Sequence, residues 1–348
     1  MTLLDTRYPF LSAYLKGEEA KLITSSHIDR MSRVSSLQDI LETIKETDIG
    51  GYLDTVLVET FDDMDEHLWL YLGGCFERVE WFKPVPSDML KILKAYKVKY
   101  DVLNIKAALR GISTNKPIRR IPIGTIYTNG LLDELSAAEN VDSIIEVLTR
   151  CKLGDYASVL EEGKTDEDAE PGPLTEARLD EVYYKNLLDT TRGVADGAML
   201  SKVLGSIIDM KNLQVMLRAI IAGTGAEAAE YIISNGYMLS GEIIKELLPL
   251  KLSDIPGRLE NIQYRNVVAE VADNYDRTKN IAVVEEIIAK HKFRLSQEIL
   301  SPRVMSPLMI AWYLILEENE IRNLRLIIKA MFDNIPLEEI KDYLVLPL

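Results

Sequence analysis

One short pattern occurs three times in this chain of 348 residues. It consists of an acidic residue, an asparagine three positions later, an aliphatic residue directly after the asparagine, and a basic residue six positions after the asparagine. The three copies are Asp101, Asn104 and Arg110; Asp209, Asn212 and Arg218; and Glu320, Asn323 and Lys329. Because the copies are nearly evenly spaced, they indicate one structural unit that has been repeated.

Apolar residues between the copies recur with the period of an α-helix. The first run consists of Leu37, Ile40, Leu41 and Ile44. Similar runs begin at Val141 and, less regularly, at Ile243. Ser35 and Gln38 predict a capping box at the start of the first run. No segment shows a convincing alternation of apolar and polar residues, so the sequence predicts an all-α fold.

The pattern divides the chain into three interlocked helical modules. We place module 1 with an N-terminal extension at 1–139, module 2 at 140–239 and module 3 at 240–348. Turns that begin with asparagine are expected near their ends, at Asn129-Gly130, Asn235-Gly236 and Asn334-Ile335-Pro336. The segment 337–344 resembles 241–248, which predicts a partial fourth module that caps the third. An acidic, proline-containing insert at 161–173 predicts a mobile loop in module 2.

Helical geometry gives the repeated residues different surroundings. Each helical residue advances by about 100°, so the acid and the asparagine lie about 60° apart on the apolar face. A buried amide without a partner costs about 1–3 kcal/mol, so each asparagine is expected to bond to the backbone of a neighbouring loop. The base lies about 180° from the acid and points to solvent or to another module. We call this arrangement a helix-to-loop lock, and it predicts a structural role over a catalytic one.

Other residues with catalytic or ligating chemistry form no recognisable site. The three histidines (His27, His67 and His291) are far apart in sequence, and Cys75 and Cys151 show no metal-binding spacing. The Gly163-Lys164-Thr165 stretch lacks the first glycine of a phosphate-binding loop and leads into acidic residues. We therefore expect no active site, no metal and no cofactor. Tyr183-Tyr184 and Trp312-Tyr313 are expected to serve packing.

The charge is strongly acidic and unevenly distributed. The net charge of −15 argues against nucleic-acid binding, and neither a secretory signal nor a membrane-spanning stretch is recognisable, so a cytosolic or membrane-peripheral protein is expected. Residues 91–120 carry nine basic residues against Asp101 alone, a net +8, which leaves −23 for the rest. The segment is either a solvated helix face with a basic loop or a contact surface for an acidic partner. Lys116, Arg119 and Arg120 are the candidate contact residues.

The triple pattern resembles the C subunits of the archaeal A-type and bacterial V/A-type rotary ATP synthases, which are relatives of the d subunit of the V-ATPase. The stretch from Glu317 to Arg325 is the most specific part, and the Asp101–Arg110 helix and the residues 179–184 support it. Gln214, where a base is usual, the acidic insert and an irregular start of module 3 depart from the family pattern. The resemblance covers nearly the whole chain.

The resemblance implies a funnel of three pseudo-threefold modules on the cytoplasmic face of the membrane rotor ring. Such a protein is a non-catalytic, peripheral member of a hetero-oligomer, present as a monomer. It joins the shaft subunits D and F to the ring of proteolipid subunits (named K or c) and transmits torque for proton- or sodium-coupled ATP synthesis. A generic helical-repeat scaffold of another complex is the alternative function. An all-α enzyme is a further alternative, but it requires a pocket with converging titratable groups.

Overall fold

The computed structural model describes residues 7–34, 36–82, 85–116, 118–163, 172–194, 196–260, 262–304 and 306–347. Within these ranges every regular element is helical and no strand occurs. The all-α prediction is therefore confirmed.

The helices follow one another with short connections. The first nine are α1 Arg7–Glu19, α2 Ser25–Met31, α3 Leu37–Thr43, α4 Asp48–Leu53, α5 Phe61–Trp81, α6 Ser87–Thr114, α7 Thr125–Thr128, α8 Leu132–Ser136 and α9 Val141–Arg150. The others are α10 Gly154–Gly163, α11 Pro173–Thr190, α12 Gly197–Ala222, α13 Gly225–Ala228, α14 Gly241–Leu247, α15 Ile262–Thr278, α16 Ala282–Leu300, α17 Leu308–Phe332 and α18 Leu337–Ile340. Short 3-10 helices lie at Ala229–Tyr231, Leu252–Asp254, Pro256–Arg258 and Lys341–Tyr343.

Side-chain caps fix several helix starts. The Ser36 hydroxyl accepts the Asp39 N–H at the start of α3. The cap thus lies one residue after the predicted Ser35, which is outside the described residues. Thr60 forms a capping box at the start of α5, and Asn140 accepts the Ser143 N–H at the start of α9. These bonds satisfy amide groups that have no partner within their own helix.

The chain forms two compact units. Unit 1 comprises Met1–Leu93, Ile121–Ile123 and Ser296–Leu348; unit 2 comprises Lys94–Arg120 and Gly124–Leu295. Two of the boundaries fall inside the long helices α6 and α16. The two units are defined by contacts in the structure, whereas the three modules are defined by the repeated sequence pattern. The three-module division remains a prediction.

The core of unit 1 is formed by its two long helices, α5 and α17, which pack against each other. Helix α5 buries Met64, Leu68, Leu72 and Phe76 completely. Their four-residue spacing places them on one side of the helix, as the helical period requires. Trp312 and Tyr313 of α17 are also buried, so the expected packing role of this aromatic pair is confirmed.

The core of unit 2 surrounds α12. Leu213, Met216 and Leu217 are fully buried in a cluster that also contains Ile244 of α14 and Val284 of α16. Helix α15 adds Val267, Val268 and Val271. The motif helix α12 thus lies inside the apolar core, and polar residues on its inner face need hydrogen-bond partners there.

Candidate functional site

The acid of the first copy binds the start of a short helix. Asp101 is fully buried, and its two carboxylate oxygens accept the Thr125 and Ile126 N–H groups, each at 2.8 Å. These amides open α7 and have no acceptor within their own helix. Asp101 therefore caps α7 from a position more than twenty residues earlier in the sequence.

The acid of the second copy makes a larger set of equivalent bonds. Asp209 accepts the backbone N–H groups of Tyr237, Met238 and Leu239 at 3.1, 2.7 and 3.3 Å. The Tyr264 hydroxyl donates to the same carboxylate at 2.8 Å. Since Asp209 is fully buried, these four donors replace the water that an exposed carboxylate would bind.

A glycine lies directly against each of these two carboxylates. A Cβ atom on Gly124 would lie 2.5 Å from an Asp101 oxygen, and one on Gly236 would lie 2.0 Å from an Asp209 oxygen. Neither position has room for a side chain. Gly236 therefore corresponds to Gly124, whereas the expected counterpart Gly130 has no atom within 4 Å of its Cβ position. Positive φ at Gly130 (70°) and Asn235 (65°) agrees with turns at the two expected Asn-Gly positions, but the two glycines have different surroundings.

All three asparagines are buried, and two of them bond to backbone through both the amide N–H and the amide oxygen. Asn212 donates to the Ile233 carbonyl at 2.8 Å and accepts the Ile233 N–H at 2.9 Å. Asn323 donates to the Val345 carbonyl at 2.6 Å and accepts the Val345 N–H at 3.1 Å. Asn104 is buried as well. The predicted bond to a loop backbone is thus confirmed for Asn212 and Asn323.

Replacing the second asparagine tests what these bonds contribute. We expect Asn212→Leu to lower the free energy of unfolding by about 2–3 kcal/mol, because the Ile233 N–H and carbonyl lose their partners inside the core. Thermal and urea unfolding measure the loss. The matched control is Asn274→Leu on α15, a half-buried asparagine whose amide bonds to Glu270 and Arg277 of its own helix; the expected change is about 0.5 kcal/mol or less. A melting temperature equal to that of the parent protein would contradict the helix-to-loop lock.

The acid of the third copy binds a segment from the other part of unit 1. One Glu320 oxygen accepts the Ile23 N–H at 2.6 Å, just before α2 begins. Asp101 binds the first two amides of α7, and Asp209 binds the segment just before α14. Glu320 likewise binds backbone where the chain enters a helix, so α2 relates to α17 as α7 does to α6 and α14 does to α12.

Burial controls the ionisation of these acids. It raises the pKa of Asp101 to about 6, although the backbone N–H groups of Ile126 and Thr125 oppose the rise. Burial also raises the pKa of Asp209. The pKa of Glu320 lies well above its usual value, because the group is buried and the charge of Glu317 is close. In each case removal from water outweighs the bonds that favour the carboxylate.

The bases connect the motif helices to other helices of the same unit. Arg110 on α6 donates to Glu176 on α11 at 2.6 Å, and Lys106 pairs with Asp180 four residues later on α11. Arg218 on α12 pairs with Glu285 on α16. Arg110 and Arg218 thus point to residues of the next predicted module, as expected for the base of the pattern.

The α17–α5 pair of unit 1 has the same antiparallel register. Lys329 lies over the Phe61 ring, 5.2 Å from its centroid, and Arg325 pairs with Asp65 four residues further along α5. These positions match the Arg110–Glu176 and Lys106–Asp180 pairs. In the α12–α16 pair, Arg218 and Glu285 form the corresponding ion pair. If that pair has the same antiparallel register, Gln214 falls opposite Ala289, so that neither helix carries a charge there.

The three motif helices also end in the same way. A residue with positive φ follows each of them, eleven positions after the asparagine: Asn115, Gly223 and Asn334, with φ of 52°, 76° and 56°. After Gly223 and Asn334, the next amide bonds back to Ala219 and Ala330, which forms the same C-terminal cap. Asn334 therefore corresponds to Asn115 and Gly223, and not to Asn129 and Asn235. In the same register, the helical segment 337–343 corresponds to 226–232, which differs from the expected alignment with 241–248.

The basic candidate residues lie in the connection between α6 and α7. Lys116, Arg119 and Arg120 are all exposed. Arg120 pairs with Asp133, itself largely exposed. The acidic insert at 161–173 falls mostly outside the described residues: α10 ends at Gly163 and Gly172 precedes α11, while 164–171, including Lys164 and Thr165, are not described.

The described ranges contain no group of three or more His, Cys, Asp or Glu residues placed to bind a metal ion. Among the same residues, no helix is long and apolar enough to span a membrane. The histidines make local contacts: His27 with Thr24 at the start of α2, His67 with Tyr52, and His291 with Glu270. Cys75 and Cys151 are buried free thiols.

Comparison with known proteins identifies the family. The family model described as ATP synthase (C/AC39) subunit matches residues 11–343. The chain belongs to this family. It is 27% identical to the C subunit of the A-type ATP synthase of Methanocaldococcus jannaschii, over 97% of the chain and 86% of the relative. It is 25% identical to the C subunits of the A-type ATP synthases of Methanosphaera stadtmanae and Pyrococcus abyssi, over 97% of the chain in both cases and 88% and 90% of the relatives.

As a member of the ATP synthase (C/AC39) subunit family, the chain is a subunit of an ATP synthase. Sequence reasoning identified the repeated asparagines but missed the backbone-binding role of the acids. The signal that could have found it is the glycine before each bound segment, Gly124 and Gly236. It also missed Asp65 and Asp180, the acids that pair with the bases of the repeated helices.

Proposed function

We propose that this protein is a non-catalytic coupling subunit of the central stalk of a rotary A-type or V-type ATP synthase. In this role it joins the shaft subunits D and F to the membrane rotor ring at the cytoplasmic face and transmits torque for proton- or sodium-coupled ATP synthesis. The observation that carries the proposal is the family match over residues 11–343, together with A-type ATP synthase relatives that match nearly the whole chain.

The helix-to-loop bonds support a mechanical role. Four motif residues each bind a distant backbone segment through two or more hydrogen bonds. The carboxylates of Asp101 and Asp209 accept backbone N–H groups, and the amides of Asn212 and Asn323 both donate to and accept from backbone. Such bonds fix the register of a helix against its neighbouring loop and resist sliding between them. A protein that transmits torque needs this resistance, because any internal slip would dissipate the rotation.

The three equivalent helix pairs support the modular part of the proposal. In each pair, a motif helix contacts a helix of another predicted module. The pairs are α17 with α5 in unit 1, and α6 with α11 and α12 with α16 in unit 2. We propose that the three modules are related by pseudo-threefold symmetry and form the funnel implied by the family resemblance. A small-angle scattering profile that requires an elongated or solid particle would contradict the funnel.

Assembly tests the proposed function directly. We expect the purified chain to sediment with membranes that contain the rotor ring and to recruit D and F to them, whereas D and F alone sediment poorly. The alternative is a scaffold of a different complex. It is supported only by the repeat organisation, and it predicts that neither D and F nor ring-containing membranes retain the chain.

The basic connection provides a prediction about assembly. We expect Lys116→Glu, Arg119→Glu and Arg120→Glu together to weaken binding to the ring or the shaft by about tenfold at low salt, because exposed bases attract acidic partners across a contact. Pull-down at several salt concentrations measures the loss, which should shrink as salt rises. The matched control is Lys245→Glu, Lys251→Glu and Arg258→Glu, three exposed bases elsewhere in unit 2. Unchanged binding to both partners would exclude the basic connection as a contact surface.

A further inference from the structure

Unit 2 contains a polar cavity whose lining does not include the basic connection. It has a volume of about 650 Å³ and is bounded by the end of α11, the first turns of α12 and the backbone segment held by Asp209. Cavities of roughly 300–1,000 Å³ accommodate small-molecule ligands. The size therefore fits a ligand larger than a single water or ion.

Positive charge dominates the lining of this cavity. Lys185 and Arg192 come from the end of α11 and the residues after it, and Lys202 comes from α12; Asp189 is the acid among the lining residues. Asp189 pairs with Arg192 at 3.1 Å. Lys185 and Lys202 form no ion pair with any residue that the structure describes. Two positive charges thus remain uncompensated in a concave site on a chain of net charge −15.

Backbone hydrogen bonds fix the wall that Tyr237 forms. Tyr237 donates its backbone N–H to the Gly205 carbonyl at 3.2 Å and to the Asp209 carboxylate at 3.1 Å. Lys202 lies over the Tyr237 ring, 5.0 Å from its centroid, and the tyrosine remains 45% exposed. The ring therefore fixes the position of one ammonium group and also offers an aromatic surface next to it.

We propose that this cavity binds a small anion that carries two adjacent phosphate groups. Phosphate oxygens match ammonium and guanidinium groups through short, charge-assisted hydrogen bonds. Two adjacent phosphates carry enough negative charge to pair with both Lys185 on α11 and Lys202 on α12. Free pyrophosphate and the diphosphate of a nucleotide share this chemistry. The exposed Tyr237 ring adds a stacking surface only for the nucleotide.

Calorimetric titration of the full chain with pyrophosphate, ADP and adenosine tests the proposal. We expect pyrophosphate and ADP to bind and adenosine alone not to bind. The Lys185→Glu and Lys202→Glu double variant should weaken both by about tenfold or more, since it reverses the two unpaired charges. Lys245→Glu with Lys251→Glu is the control of equal charge change, and it should leave affinity within about twofold.

Each outcome of the titration decides the proposal. ADP binding tighter than pyrophosphate, with the difference lost in Tyr237→Ala, assigns the nucleotide; equal affinities assign the diphosphate group alone. Absence of pyrophosphate and ADP binding at millimolar concentration overturns the proposal, as does equal weakening by the control variant. Reduced assembly of the double variant without any phosphate binding would instead assign the cavity to an acidic protein. These measurements use the isolated chain, so they are independent of the assembly test of the proposed stalk function.

Discussion

Asp209→Ala is expected to lower the free energy of unfolding by about 4 kcal/mol, one of the two largest effects that we predict. The substitution leaves three backbone N–H groups and the Tyr264 hydroxyl without their acceptor. Each buried donor that loses its partner costs about 1–3 kcal/mol. Part of this cost is offset, because the burial that raises the pKa of Asp209 also makes its charge expensive to hold.

Urea unfolding at pH 7 measures the effect, and two other variants calibrate it. Asp101→Ala removes an acceptor from two amides, Thr125 and Ile126, so its loss should be smaller than that of Asp209→Ala. Asp273→Ala on the exposed part of α15 should change stability by about 0.5 kcal/mol or less. A loss below about 1 kcal/mol for Asp209→Ala would show that the carboxylate does not hold the 237–239 segment.

Asp65→Ala is expected to cost about 3–4 kcal/mol, the second large effect. Asp65 on α5 is 2% exposed, pairs with Arg325 on α17 and accepts the Trp69 Nε1–H at 3.1 Å. Asp65 is buried and the Arg325 side chain is 30% exposed, so the substitution leaves a mostly desolvated arginine without its partner; removing one member of a fully buried pair costs about 3–5 kcal/mol, which sets the upper end of the range. Thermal and urea unfolding measure the loss. The indole of Trp69 loses its acceptor as well.

The repeated register provides a matched comparison for this variant. Glu176 pairs with Arg110 on the α6–α11 pair, where the arginine side chain is 67% exposed. Water replaces the partner of an exposed charge, so Glu176→Ala should cost about 1 kcal/mol or less. Losses of equal size for Asp65→Ala and Glu176→Ala would mean that burial does not control the contribution of these pairs.

The helical character and the burial of the asparagines were predictable because both follow from local spacing. The period of apolar residues defines a helix face, and an asparagine on that face needs a partner. What was not predictable was the identity of the segment that supplies it. Ile233 and Val345 become neighbours of Asn212 and Asn323 only through tertiary packing, which the spacing along one helix does not contain.

The glycine counterparts show that similar turn sequences can hold glycines with different roles. Asn129-Gly130 and Asn235-Gly236 look alike because both dipeptides suit a turn. Gly236, however, is required by the closeness of the Asp209 carboxylate, and its true counterpart Gly124 has no asparagine before it. A local turn signal and a long-range steric requirement can select the same residue type, and only coordinates separate them.

The departure at Gln214 also needed the structure for its explanation. In sequence it is a base replaced by a neutral residue. Arg218 pairs with Glu285, and an antiparallel register continued from that pair, as in the α5–α17 pair, would place Gln214 opposite Ala289. Loss of both charges avoids leaving one of them unpaired, which is the more costly state. The pairing of long helices is a tertiary property, so a single sequence gives no means of recognising the matched change.

The contacts between α17 and the N-terminal part of unit 1 determine when that unit can complete its core during synthesis. Ile23 and Glu320 are 297 residues apart, and Asp65 and Arg325 are 260 apart. Because synthesis runs from the N-terminus, α5 leaves the ribosome long before the helix that covers it. Its apolar face, with Met64, Leu68 and Leu72, must remain unpaired or be shielded by a chaperone during that interval. Unit 1 is thus the last part of the chain to complete its core, although it contains the first residues to be synthesised.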